Sequence, residues 1–134
     1  MKSFPKISIM AKEWIKHASL AILVLYVSLI MAFAVIPGVA GSEIVSQNDK
    51  LLHFLEFFLF SIILTITLYL YKVKYLYSYA IAISAIIIFA SELIQIPVSA
   101  RTFSWLDILA GITGAIIGII IVSTAAQKWG FLKR

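Results

Sequence analysis

From Ala18 to Ile36 the chain carries no Asp, Glu, Lys, Arg or His, and the run stops at Pro37-Gly38, which do not continue a helix. An α-helix rises 1.5 Å per residue, so a run of this length reaches across the roughly 30 Å hydrocarbon core of a bilayer. Three more runs of similar length follow, at about 48 to 71, 75 to 96 and 104 to 124. Composition agrees: 63% of the 134 residues are hydrophobic, 13% are charged, and the mean hydropathy of +1.07 lies outside the range of soluble domains. The expectation is an all-α, four-helix transmembrane bundle occupying residues 18–124. The basic start and Gly38-Val39-Ala40 also fit a secretory signal, but the apolar run exceeds the usual signal length and three spans follow it. A retained first helix is the simpler account.

Charge sets the orientation. Residues 1–17 hold Lys2, Lys6, Lys12 and Lys16 against Glu13, the 72–74 turn holds Lys72 and Lys74, and the 125–134 tail holds Lys128, Lys133 and Arg134. The other two connections hold one cation each, Lys50 and Arg101. By the positive-inside rule, both termini and the middle turn are expected in the cytoplasm, with the protein multi-pass in the cytoplasmic (inner) membrane. The net charge of +5 then reports topology and attraction to anionic headgroups, and no nucleic-acid partner is expected. The absence of cysteine excludes disulfides and thiolate chemistry. Tyr69, Tyr71, Tyr75, Tyr77 and Tyr79 form an aromatic belt at one interface.

This topology gathers the remaining ionisable residues at one end. Asp49, Lys50, His53 and Glu56 open the second span, Glu92 and Gln95 close the third, Arg101 lies in the outer loop, and Asp107 opens the fourth. Spacings of three and four put Asp49, His53 and Glu56 on one helical face, and Glu92 with Gln95 on another. Glu56 is the deepest of the set. A charged group at the bilayer centre costs about 2.5–3.5 kcal/mol on insertion scales, so these side chains are expected to face one another inside the bundle. Asp107 continues along Gly111, Gly114 and Gly118, a stripe of small residues suited to close helix approach. Ser46-x-x-Asp49 and Ser104-x-x-Asp107 both have capping-box form, which is the structural reading of each acid.

The expected roles follow from side-chain chemistry. His53, with Asp49 and Glu92 as carboxylate partners, is the candidate acid–base group. Lys50, Arg101, Gln95 and Asp107 are the candidate ligand-binding residues, Arg101 as a planar donor to a phosphate or carboxylate. One histidine with carboxylates at no defined spacing is a poor zinc signature, so neither a metal nor a cofactor is expected. Ser99 and Ser104 lie at the right level to act as nucleophiles, but nothing else marks them out.

Asp49-Lys50-x-x-His53-Phe54, Glu92-x-x-Gln95, Arg101 and Phe103-Ser104-x-x-Asp107 leading into a Gly-rich helix together resemble the VanZ-like family of small bacterial membrane proteins. The resemblance covers roughly residues 20 to 124, and Glu56 is not part of its pattern. The family is named for a protein of glycopeptide resistance clusters linked to teicoplanin. The resemblance implies an accessory role at the cell envelope, with a membrane lipid, lipid-linked wall precursor or glycopeptide-type amphiphile as partner. Three other readings stand beside this one. The first is an enzyme acting on a lipid-linked substrate through His53. The second is a proton-coupled transporter, for which the cytoplasmic half offers no relay. The third is a purely structural charge network.

Overall fold

In the computed structural model, which describes residues 9–36, 43–98 and 103–129, the chain is all-helical. The helices are α1 (Ile9–Val35), α2 (Glu43–Leu70), α3 (Leu76–Gln95) and α4 (Trp105–Trp129). Each contains a stretch long and apolar enough to cross a membrane: Met10–Val35, Asn48–Leu70, Leu76–Gln95 and Trp105–Lys128. The chain is therefore a multi-pass membrane protein.

Three helices outrun their expected spans. α1 begins at Ile9, before the expected start near Ala18, and its polar first turns hold a Lys16–Glu13 ion pair of 3.1 Å, one turn apart. α4 runs past Thr124 through Ala125, Ala126 and Gln127, which are favourable helix residues. α2 starts at Glu43 and leaves helical geometry at Asn48 (φ −115°, ψ 15°), so its apolar part still begins where expected, beyond a kink. The Ser46 side chain, and with it the first expected capping box, lies outside the described residues. The backbone break falls two residues later.

The contacts between helix ends fix their directions. At one end, Lys16 Nζ sits 4.9 Å over the Tyr71 ring and Thr67 Oγ1 lies 3.4 Å from Ser19 O, joining the start of α1 to the end of α2. At the other, His53 of α2 meets Glu92 of α3 at 3.4 Å, and Lys50 meets Asp107 of α4 at 3.6 Å. The helices thus alternate in direction, with α2 and α4 parallel. Between α2 and α3 the chain turns in a few residues: Val73 N donates to Leu68 O at 3.1 Å and Lys72 N to Tyr69 O at 2.9 Å, with Lys72 in the left-handed region at φ 56°. That bonding is a Schellman cap.

α2 is the central helix. Its buried stripe, His53, Phe57, Phe60, Leu64, repeats every three or four residues and packs against Ala80 and Ile88 of α3 and Ile108, Ala115 and Ile119 of α4. Buried hydroxyls turn back to carbonyls of their own helix, as in Thr65 Oγ1 to Ser61 O at 2.7 Å and Thr67 Oγ1 to Ile63 O at 2.8 Å. These are thereby satisfied without water, whereas the buried Ser84 Oγ of α3 makes no hydrogen bond. The expected glycine seam lies on α4 against α2: a Cβ at Gly114 would collide with Phe54 O, and one at Gly118 with Ser61 Oγ and Phe58 O. α1 is attached more loosely. Among its described side chains only Ile30 and Ala34 are buried.

Candidate functional site

His53 continues the buried stripe of α2 one turn beyond Phe57 and stacks parallel to that ring, with centroids 6.2 Å apart. Helical spacing sets two of its neighbours and packing sets the third. Its Nδ1 lies 3.6 Å from Glu56 Oε2, three residues on, and its Nε2 lies 3.9 Å from Asp49 Oδ1, four residues back. The same Nε2 is 3.4 Å from Glu92 Oε1, which α3 brings across the bundle. Both ring nitrogens therefore face carboxylates, while the imidazole itself is almost fully buried.

Glu92 is only 1% exposed and does a second thing. Its Oε2 accepts the Ser104 backbone N–H at 3.0 Å, at the entry to α4. Ser104 in turn caps that helix, its Oγ accepting the Asp107 N–H at 3.3 Å. In a capping box the third helical residue would reach back to the cap's own N–H. Here Glu92 of another helix takes that place, and the Asp107 carboxylate is left to face Lys50, with Oδ1 3.6 Å from Nζ. Asp107 Oδ1 and Glu92 Oε1 are buried and make no hydrogen bond.

Beside this cluster lies a cleft of about 420 Å³ between α1 and α2, with α3 behind it. Tyr26, Leu29, Ile30, Phe33 and Ala34 form the α1 wall, and Leu52, Leu55 and Leu59 the apolar part of the α2 wall. Its polar lining is Asp49, His53, Glu56, Ser91 and Gln95. Leu29, Phe33, Leu52, Leu55 and Leu59 are exposed whereas His53, Ser91 and Gln95 are buried, so the cleft has an apolar rim and a polar floor. Tyr26 OH donates to Glu56 O at 3.0 Å and pins α1 beside it.

The structure brings His53 together with Asp49, Glu56 and Glu92, sets Asp107 beside Asp49 and His53, and puts Gln95 in the same cleft lining; the shared face of Asp49, His53 and Glu56 is the one the spacing predicts. Lys50 is not part of the cleft lining. Its side chain is 59% exposed and paired with Asp107. Arg101 and Ser99 lie outside the described residues. Tyr26 and Ser91 escaped sequence reasoning. The signal for Tyr26 was present, since a phenol in the middle of a span, away from the interfacial belt, needs a hydrogen-bond partner.

Fold and site together define a class: a four-helix multi-pass membrane protein with a buried histidine–carboxylate cluster beside a lateral apolar cleft. Comparison with protein-family models, with curated proteins and with solved structures finds no match to this chain.

Proposed function

We propose that the chain is a VanZ-like protein of the bacterial cell envelope that binds or remodels an amphiphile, such as a phospholipid, lipid-linked wall precursor or lipoglycopeptide. The observation that carries this reading is the cleft, whose apolar rim suits an acyl or prenyl chain and whose polar floor suits a head rich in hydrogen-bonding groups. The positive-inside asymmetry supports an orientation with both termini in the cytoplasm and the cluster at the outer leaflet of the inner membrane, where such lipids are exposed. The proposed anchors for an anionic head are two cations read from the sequence, Lys50, whose exposed side chain lies beside Asp107 next to the cleft, and Arg101 of the loop before α4.

The test is lipid retention in mild detergent followed by native mass spectrometry. Ala34→Leu fills the cleft from α1, and it is expected to expel a lipid that the parent protein keeps, at unchanged helical content. Equal retention in the two proteins would overturn the reading. Reporter fusions at either end test the orientation, with activity in the cytoplasmic compartment expected for both.

A second reading is favoured by one observation, the placement of carboxylates at both nitrogens of His53. A ring held this way can take a proton at one nitrogen while the other is oriented, which suits acid–base catalysis on a lipid-linked substrate. Turnover of labelled envelope lipids by pure protein, lost in His53→Gln, is its test. An absence of turnover across a broad lipid panel counts against it.

A further inference from the structure

We infer that Asp49, His53 and Asp107 form a binding site for one divalent transition-metal ion, of the Mn²⁺ or Zn²⁺ kind. One ligand atom from each of the three lies within 4.8 Å of the others. Around an ion bound at about 2.0–2.2 Å, such atoms stand roughly 3–4 Å apart, so modest rotations about side-chain bonds close the set. The backbone that carries them is well fixed, with Asp49 and His53 one turn apart on α2 and Asp107 in the first turn of α4. The glycine seam holds α4 against α2, and the Ser104 N–H bond to Glu92 ties the start of α4 to α3.

Independent features of the cluster point to a cation. Asp107 is 4% exposed, and its Oδ1 makes no hydrogen bond. Glu92 Oε1, equally buried and unbonded, faces the same His53 Nε2. Buried carboxylate oxygens are normally hydrogen-bonded or paired, and these have only loose contacts of 3.4 to 3.6 Å. On the far side of the ring, His53 Nδ1 faces Glu56 Oε2 at 3.6 Å. That is the carboxylate–histidine arrangement that orients a metal-binding imidazole and raises its basicity. Lys50 Nζ lies near Asp107 at the end of a largely exposed side chain that is free to swing away when a stronger cation arrives.

One imidazole with carboxylates is a mixed nitrogen and oxygen donor set. It suits Mn²⁺ or Zn²⁺ better than Ca²⁺ or Mg²⁺, which favour all-oxygen cages, or Cu⁺, which favours sulfur. Spacing along the chain conceals the site, because Asp107 joins His53 only through the packing of α4 on α2. The consequence deepens the amphiphile reading and rests on it for the ligand alone: a metal gives an otherwise acidic cleft floor a positive centre for a phosphate or carboxylate head.

The experiment is metal analysis of the full chain in detergent, stripped with EDTA and dialysed against Mn²⁺ or Zn²⁺. About one equivalent is expected. The electron paramagnetic resonance spectrum of bound Mn²⁺ should show coupling to a nitrogen nucleus, and this coupling disappears in His53→Gln. Glu56→Gln should weaken binding about 10–100-fold through the second carboxylate, and Asp107→Asn at least as much. No metal above the detergent blank, or bound Mn²⁺ without nitrogen coupling in the unaltered protein, overturns the site whether or not any variant folds. Lipid retained equally by EDTA-stripped, metal-free protein would overturn the part of the metal in holding the head while leaving the amphiphile. Metal bound by a protein that keeps no lipid would do the reverse.

Discussion

At the scale of single residues, Glu92 shows how one carboxylate can serve fold and site together. One oxygen accepts the Ser104 N–H that opens α4 and the other faces His53, so the two halves of its role are separable by substitution. Glu92→Gln keeps a carbonyl oxygen for Ser104 and removes the charge beside His53. Glu92→Ala removes both and leaves a part-buried N–H without an acceptor, which costs up to about 1–3 kcal/mol. Thermal unfolding in detergent should therefore rank the glutamine variant well above the alanine variant, whereas both should lose whatever ligand or metal binding depends on the charge. Equal stabilities would show that Ser104 is satisfied by another group. Lys50 belongs to the same scale. If its ammonium only holds the place of a cation, Lys50→Met binds Mn²⁺ more tightly than the parent; weaker binding would make the lysine part of the site.

At the scale of helices, the α2–α4 seam is the contact with least room. A methyl group at Gly114 meets the backbone oxygen of Phe54, which cannot move without shifting α2, whereas at Gly111 it meets Phe57 Cδ2 at 2.9 Å, the edge of a side chain with some freedom. Gly114→Ala is thus expected to cost about 3 kcal/mol or more and Gly111→Ala nearer 1 kcal/mol, measured by chemical unfolding in micelles. The reverse order would mean that α2 and α4 do not meet on this seam. The seam, the four spans and the alignment of Asp49, His53 and Glu56 were legible in the sequence, because each follows from apolar run length or from helical periodicity. The closure of the Ser104 cap by Glu92 was not, since those residues are joined only by the way α3 ends beside α4. Nor was the cleft, whose α1 wall is apolar apart from Tyr26 and looks like any lipid-facing helix. The direction of the Lys50 side chain was not legible for a related reason: periodicity places its Cα but not the course of a long, exposed side chain.

At the scale of the whole molecule, α2, α3 and α4 form a packed trio, and α1 lies against it as a fourth wall that buries little of itself. The floor of the cleft, including Ser91 at 1% exposure, lies behind this wall, so movement of α1 away from α2 widens the way from the bilayer to His53. The hydrogen bond from Tyr26 OH to Glu56 O holds the two together beside the site. A bond of this kind inside a membrane protein is worth about 0.6 kcal/mol on average, close to RT. Tyr26→Phe should therefore raise the population of the opened form about threefold without unfolding the trio. The chain has no cysteine, so Ser91→Cys supplies a single reporter thiol of similar size. Its reaction with a small maleimide should be slow in the Tyr26 background and about three times faster with Tyr26→Phe, while a thiol placed at exposed Leu109 on α4 reacts equally in both. An unchanged rate at position 91 would mean that the cleft floor is reached by another route, and that the looseness of α1 has no part in admitting a ligand.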